Sequence, residues 1–201
     1  IALNQLNNDF YSSVHESFHE TRGFFWEGWT QLLPTLQDQV QNNTLSILDV
    51  GCGNGRFGLF LDQHFSSTTQ IQYQGVDANT ELLAKAEESL STTKLHFSLH
   101  HIDLVTQLLQ NQNFAVSSSQ ETASCACFGV LHHIPSYELR LAFIKKLLDQ
   151  AGKDQVVLLS LWQFTRAQRL TDKLIARNEA SKQFDLEEND YLMRWDRTVS
   201  A

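Results

Sequence analysis

Three glycines stand at alternate positions directly after a short apolar run. The run Ile47–Val50 has the composition of a buried strand, and Gly51, Gly53 and Gly55 separate it from the helix-like segment Arg56–Leu61. Glycine permits positive φ and lacks the Cβ that would hold a ligand away from the backbone. The N-terminus of the following helix presents N–H groups to an anionic or polar ligand. This spacing therefore predicts a turn that cradles a nucleotide-type cofactor.

The glycine spacing distinguishes between two kinds of cofactor. A dinucleotide site reads G-x-G-x-x-G, and counted from Gly51 its third glycine falls on Arg56. Counted from Gly53 the pattern is met at Gly58, but Asp49 is then left unexplained. The spacing D-x-G-x-G-x-G, which begins at Asp49, instead resembles the first motif of class I S-adenosylmethionine (SAM) methyltransferases. The remaining alternative is an ordinary glycine-rich turn between a strand and a helix.

The resemblance assigns roles to the residues of this turn. It implies that Asp49 lies near the methionine end of SAM. It also implies that the turn residues Gly51, Cys52, Gly53 and Asn54 run along the cofactor. Methyl transfer is a displacement at a sulfonium carbon, so it requires a nucleophile aligned with the C–S bond at near-attack distance.

An acidic residue ends the second predicted strand. Asp77 lies 22 residues beyond Gly55 and is followed by Ala78. A carboxylate at this place can accept hydrogen bonds from both ribose hydroxyls of a cofactor, as in other doubly wound folds. The alternative is that Asp77 caps the next helix, although Asn79 or Thr80 could serve as that cap.

A second acid, Asp103, follows the third predicted strand. In methyltransferases an Asp at this place accepts a hydrogen bond from the adenine amino group, and the resemblance implies that the backbone N–H of Leu104 meets the adenine ring. The neighbouring His100 and His101 are interpreted as local structure rather than as ligands.

The string Phe128–Pro135 contains V-L-H-H and resembles the fourth motif of many SAM methyltransferases. In that family the loop closes over the methyl-bearing end of the cofactor, which implies cofactor contacts for Phe128 and Val130. His132 is predicted to orient the substrate or to act as a base, whereas His133 is interpreted as a packed or backbone-bonded residue.

Three further segments resemble one subfamily, the tRNA wobble-uridine methyltransferases. Ser17–Trp26 is similar to its F-S-x-T-R-x-x-x-W motif, with His19 in place of Ser. Leu159–Trp162 resembles its fifth strand, and Asp190–Trp195 resembles a later D-x-L-x-x-W element. Those enzymes esterify 5-carboxymethyluridine in the anticodon, and the eukaryotic ones work with a small zinc-binding activator subunit.

The resemblance implies that the acceptor is a carboxylate, which is ionised at pH 7 and needs a cation to position it. Arg22 is the predicted cation because a guanidinium binds carboxylates in a bidentate way. Pairing of Arg22 with the SAM carboxylate or with a structural acid is the alternative. Trp26 and Trp162 are predicted to stack on adenine or on the acceptor base, or else to pack in the core or a lid.

The formal charge of −8 argues against a surface that coats nucleic acid. A local basic stripe remains, because Arg166, Arg169, Lys173 and Arg177 fall at i, i+3, i+7 and i+11 of a predicted helix. This stripe is a candidate tRNA-binding surface. A solvated helix face is the alternative.

Composition is typical of a single packed domain. The 201 residues are 42% hydrophobic with 13 Phe and 4 Trp, enough for a full core. No apolar run approaches the ~20 residues that span a bilayer, and the first residues lack the basic start and apolar stretch typical of a signal peptide. Cys52, Cys125 and Cys127 form no C-x-x-C pair, so we expect buried free thiols, no metal and a cytoplasmic location.

Strands and helices alternate through the middle of the chain. Helical periodicity is predicted at 3–20, 27–39, 55–64, 79–90, 136–149 and 164–180, and strand-like runs at 45–50, 71–76, 95–99, 123–130 and 155–162. This order predicts a Rossmann-like α/β fold with a doubly wound, mainly parallel sheet at 43–162, a helical extension at 1–42, and a basic helix and tail at 163–201. Class I methyltransferases usually have seven strands, so five strands predict a single domain truncated at its C-terminus.

The sequence thus favours a SAM-dependent methyltransferase of a modified tRNA uridine. A methyltransferase of a small molecule, such as a carboxylic acid or a quinone, is the second hypothesis, because V-L-H-H is widespread in that group. A non-catalytic SAM-binding subunit is the third. The glycine spacing argues against an NAD-dependent reductase.

Overall fold

A five-stranded parallel sheet forms the centre of the protein. The computed structural model describes residues 2–20, 24–114 and 123–194, with side chains described except at 14–20. The strands are β1 (Thr44–Val50), β2 (Gln70–Asp77), β3 (His96–His101), β4 (Ser124–Cys127) and β5 (Val157–Leu159). They pair in the order β3-β2-β1-β4-β5, and every pair is parallel. The predicted Rossmann-like sheet is confirmed, and it lies within the predicted core of 43–162.

The two central strands are apolar because both of their faces are covered. Leu45, Ile47, Leu48 and Val50 of β1 are all buried, as is the whole of β4. Strands buried on both faces read as continuous apolar runs rather than as alternating patterns. For this reason the sequence pattern predicts both strands.

Helices cover both faces of the sheet. The helices of the described residues are α1 (Ala2–Glu20), α2 (Leu33–Asp38), α3 (Arg56–His64), α4 (Thr80–Leu90), α5 (Leu104–Leu109), α6 (Tyr137–Gln150), α7 (Gln168–Thr171) and α8 (Arg177–Ala180). One buried cluster joins α3 and α4 to the sheet, and a second joins α5 and α6 to it. Because strand connections are right-handed, the reversal of strand order at β1 sends α5 and α6 to the opposite face.

The segment before β1 differs in detail from the predicted single helix at 27–39. A 3-10 helix, Glu27–Leu32, runs directly into α2. Pro34 lies in the first turn of α2, where backbone N–H groups have no partner within the helix, so proline is tolerated there. Trp29 and Leu36 anchor this segment in the core.

The two strands on the β4 side are shorter than predicted. β4 ends at Cys127 rather than at 130, because Gly129 adopts φ +75° and turns the chain out of the sheet. β5 covers only 157–159 of the predicted 155–162. The Gly129 N–H donates to Ser160 Oγ at 2.8 Å, so the two strand ends leave the sheet together.

The predicted single helix at 164–180 is wrong. The chain instead forms a 3-10 turn at Phe164–Arg166, the four-residue α7 and the four-residue α8. The backbone between α7 and α8 pairs with residues 192–194: Ile175 N donates to Leu192 O, and Arg194 N donates to Lys173 O, each at 2.9 Å. These bonds replace helical ones, so the four basic residues of the predicted stripe do not share a helix face.

Two predictions concern the chain as a whole. Cys52, Cys125 and Cys127 are free and buried, as expected. No helix in the described part of the chain combines the length and apolar character needed to cross a membrane.

Candidate functional site

A cavity of about 530 Å³ opens at the carboxyl ends of β1 and β4, where the strand order reverses. Open α/β sheets bind ligands at such switch points. The sequence-predicted residues that line it are Trp26, Gly51, Gly53, Asp77, Ala78, Asp103, Leu104, Phe128, Val130, His132 and Trp162. Asp49, Cys52 and Asn54 line a smaller adjoining cavity of about 60 Å³. Arg22 lies outside the described residues, as does Trp195.

The glycine turn is tight on one side and open on the other. A Cβ on Gly51, at φ +76°, would lie 2.2 Å from Val130 Cγ2. Gly53, at φ +55°, has no atom within 4 Å of where its Cβ would be. Gly51 N and Cys52 N both donate to Val76 O, which fixes the turn to the end of β2. The turn therefore leaves space beside Gly53, where the sequence predicts the cofactor.

Asp77 faces this turn across the cavity wall. Its Oδ2 accepts from Gly53 N at 2.8 Å, and its Oδ1 accepts from Asn79 N at 2.9 Å. The cap of α4 is Asn79, whose Oδ1 accepts from Leu82 N at 2.8 Å, so Asp77 is not needed as the cap. Burial raises the pKa of Asp77, although these backbone bonds lower it in part. The backbone N–H of Ala78 also donates to this carboxylate, which leaves about one of its four acceptor directions for a ligand hydroxyl.

Asp49 is the most deeply buried acid of the site, with 2% of its surface exposed. Tyr73 Oη donates to Asp49 Oδ2 at 2.6 Å. Burial raises the pKa of the Asp49 carboxyl to about 7; the Tyr73 bond lowers it, and the charge of Asp77 raises it further. Burial also raises the pKa of the Cys52 thiol, so Cys52 contributes shape rather than charge.

The smaller cavity also contains donors that sequence reasoning missed. The Arg56 guanidinium lies 5.3 Å and 5.1 Å from the ring centroids of Trp26 and Trp29. Trp29 Nε1 is buried and has no hydrogen-bond partner among the described residues. A cation and an indole N–H thus share a cavity with the Asp49 carboxyl. This set of groups can bind the carboxylate and the ammonium of an amino acid.

Asp103 lies at the other end of the large cavity and caps α5 through a bond from Thr106 N at 2.9 Å. Burial raises its pKa, but the bonds from Thr106, Asn8 and Asn4 outweigh that effect and lower the pKa overall. The asparagines belong to α1, whose contribution to the site was also missed.

Residues 47–152 match the model of a family described as a methyltransferase domain, and this match spans just over half of the chain. The chain belongs to the methyltransferase domain family. Its fold is similar to that of an S-adenosylmethionine-dependent methyltransferase from Clostridium acetobutylicum, with a TM-score of 0.53 and 15% identity over 82% of this chain and 61% of the other. No curated protein matches the chain.

A second similar structure is the sugar N-methyltransferase KedS8 from a Streptoalloteichus species. Its TM-score is 0.53 at 17% identity, over 77% of this chain and 56% of the other. The chain therefore spans about 60% of the length of these two structures. At such identities the likeness concerns the fold, and the methyl acceptor has to be inferred from the site.

The residues present fit SAM, the cofactor of this methyltransferase domain. Gly53 leaves an open cradle, Asp77 presents a fixed carboxylate that would accept hydrogen bonds from ribose hydroxyls, and the buried, unpartnered Trp29 Nε1 shares a cavity with Asp49. Bound SAM supplies a methyl group on a positively charged sulfur. The sequence resemblance to this class of enzyme is thereby confirmed, whereas the wobble-uridine subfamily and the individual site roles stay predictions.

An aromatic row begins beside the cavity and leads away from it. The His132 and Trp162 ring centroids are 4.7 Å apart, and Phe164 and Tyr191 continue the row at 5.6 Å and 5.4 Å. Trp162 is 46% exposed, so the methyltransferase domain presents an open aromatic face. Arg169 lines the same cavity and is the one member of the predicted basic stripe that does so among the described residues.

Proposed function

We propose that the chain transfers a methyl group from SAM to a carboxylate carried beside a flat ring, and that this acceptor is 5-carboxymethyluridine in the wobble position of tRNA. The observation that carries the proposal is the half-exposed Trp162, which lies against His132 in the wall of the large cavity. Base stacking on an aromatic side chain contributes about 1–3 kcal/mol per base. The resemblance at Ser17–Trp26 supports the uridine as the source of the ring.

The residues of the site perform binding and orientation. Asp77 holds ribose hydroxyls, and Asp49 with Arg56 and Trp29 binds the amino-acid end of the cofactor. Arg169, with the predicted Arg22, orients the acceptor carboxylate. That carboxylate is ionised at pH 7, so no residue needs to remove a proton. Positioning of this kind can supply several kcal/mol of the barrier reduction.

A small carboxylic acid is the second candidate acceptor. The formal charge of −8 disfavours a polyanionic partner. The predicted stripe is also dispersed: Arg177 donates to the carbonyls of Leu186, Glu188 and Asp190, so it acts within the tail. The two sources share one chemistry, a carboxylate next to a planar ring, and differ in whether an RNA backbone is attached.

The test follows radiolabelled methyl transfer from SAM to three acceptors. They are tRNA with 5-carboxymethyluridine, the same tRNA without the carboxymethyl group, and an aromatic acetic acid. Transfer only to the first supports the tRNA proposal, and transfer only to the acid supports the second candidate. SAM binding without transfer to any of them would overturn both and favour a non-catalytic subunit. A requirement for an activator subunit is tested by repeating the assay in cell extract.

Two pairs of variants assign the acceptor residues. Trp162→Ala is expected to raise the acceptor KM about tenfold and to leave SAM affinity unchanged, and Trp162→Phe retains most of the stacking. Arg169→Ala is expected to weaken acceptor binding more than the matched variant Arg166→Ala does, because Arg166 does not line the cavity. Equal effects of the two arginine variants would contradict the role of Arg169.

A further inference from the structure

One face of α1 is polar and lies over the large cavity. Asn4, Asn7, Asn8 and Tyr11 occupy positions i, i+3, i+4 and i+7, which share a helix face. All four line the cavity. Gln5, on another side of the helix, is exposed and donates to Asp9 within α1 at 2.7 Å. We call the four cavity residues the polar face of α1.

The first part of the polar face engages Asp103. Asn4 Nδ2 lies 3.2 Å from Oδ1 and 2.9 Å from Oδ2, and Asn8 Nδ2 lies 3.0 Å from Oδ2. Thr106 N donates to Oδ1 at 2.9 Å. A carboxylate has about four acceptor directions, so these contacts saturate Asp103. A ligand amino group that reaches Asp103 must therefore displace an asparagine.

The second part of the polar face engages the loop after β4. Asn7 Nδ2 donates to His133 O at 3.0 Å, and a hydrogen bond of 2.8 Å joins Tyr11 Oη to His133 Nε2. The His133 ring lies 4.1 Å from that of His132, at the aromatic end of the cavity. The helix rises about 10 Å from Asn4 to Tyr11 and thus connects the two sides of the cavity.

We infer that the polar face of α1 is a latch that controls cofactor exchange. In the closed state Asn4 and Asn8 hold Asp103, while Asn7 and Tyr11 hold His133. An adenine amino group that reaches Asp103 displaces Asn4 or Asn8, so latch opening contributes to the rates of cofactor entry and release. The inference rests on the cofactor part of the proposed function and is independent of the acceptor.

The test measures the association and dissociation rates of S-adenosylhomocysteine by stopped-flow fluorescence. The double variant Asn4→Ala/Asn8→Ala is expected to raise both rates on the order of tenfold, because each removed bond reaches a charged group. Tyr11→Phe is expected to raise both rates less, since it removes one bond and keeps the ring. The matched control is Gln5→Ala, which removes an amide from the same helix and should leave both rates unchanged. Hydrogen exchange of the α1 amides should rise in the double variant without a change in β1.

Each other result counts against the latch. Faster dissociation with unchanged association would identify α1 as a fixed wall, and unchanged rates in both variants would overturn the inference while leaving cofactor binding intact. Failure of the unaltered protein to bind S-adenosylhomocysteine would overturn both the latch and the proposed function. If the double variant does not fold, Tyr11→Phe decides by the same criterion.

Discussion

Tyr73 Oη donates a hydrogen bond to Asp49 Oδ2 at 2.6 Å across two neighbouring strands. The β1–β2 register pairs Asp49 with Gly75, so Tyr73 reaches the carboxyl diagonally from two residues earlier in β2. Both residues are nearly fully buried. The bond orients a carboxyl whose environment otherwise favours its neutral form.

The raised pKa of Asp49 predicts a specific pH dependence of stability. Because the folded-state pKa is about 7 and the ordinary value is 3.8, the folded protein holds the proton more tightly than the unfolded chain. This stabilising contribution is complete below about pH 4 and is lost as the pH rises to about 7. In Asp49→Asn, the free energy of unfolding measured by urea denaturation should lose this part of its pH dependence between pH 4 and 8.

The control for this experiment is Tyr73→Phe. Loss of the bond that lowers the Asp49 pKa should move the pH-dependent region to higher pH. Asp77 also has a raised pKa and adds a slope of the same sign, so the comparison is made between variant and unaltered protein. If the pH dependence of stability is unchanged in Asp49→Asn, it does not arise from the Asp49 carboxyl.

Asp77→Asn is expected to weaken SAM binding about 10- to 100-fold, as measured by calorimetry. The new amide group would face Gly53 N or Asn79 N, both of which are donors, and would lose an acceptor for ribose. The matched variant is Asn79→Ala, which removes the cap of α4 at a cost of about 1 kcal/mol in stability. A weaker affinity in Asn79→Ala than in Asp77→Asn would contradict the ribose role.

Alanine at two glycines should separate folding from binding. Gly51→Ala places a Cβ against Val130 and should destabilise the fold by about 1–3 kcal/mol. Gly53→Ala shares the strain of a positive φ but meets no atom, so it should cost less stability than Gly51→Ala. It should weaken SAM binding, because its methyl group enters the cradle. Thermal melts with and without SAM measure both effects, and Gly28→Ala, also in open space, serves as the control. Equal melting temperatures of the Gly51 and Gly53 variants, with and without SAM, would contradict the separate roles of the two glycines.

Arg140 of α6 attaches the tail to the domain through Glu187 at 3.1 Å and Asp190 at 3.3 Å. Arg140→Ala should lower stability by roughly 1 kcal/mol and increase proteolysis of the tail. It should also raise the acceptor KM, because Tyr191 next to Asp190 completes the aromatic row. The exposed Lys145 on the same helix provides the control variant, Lys145→Ala. An unchanged acceptor KM in Arg140→Ala would show that the tail does not contribute to acceptor binding.

The sequence predicted those parts of the site that depend on local pattern. Gly51 follows β1, Asp77 ends β2 and Asp103 lies just after β3, and the carboxyl ends of parallel strands meet at one edge of a sheet. Their convergence on one cavity therefore follows once the strand order is known. The cap of α4 at Asn79 was also an open alternative that the structure resolved.

The sequence did not predict features that depend on contacts between distant segments. The helix at 164–180 has good periodicity, but pairing of 173–175 with 192–194 overrides it, since tertiary hydrogen bonds compete with local propensity. Trp29 and Arg56 carry no ligand signal until they meet at the smaller cavity.

By itself the sequence determined the class of the domain and its cofactor, because the glycine turn and the acids at strand ends act through local backbone geometry. Only the tertiary structure decided which face of α1 lies inward. The apolar residues Leu3, Leu6 and Phe10 repeat at helical spacing, yet Asn4 and Asn8 reach Asp103, 95 residues or more along the chain. Side chains so far apart become neighbours through the packing of the whole fold, and no local pattern encodes that contact.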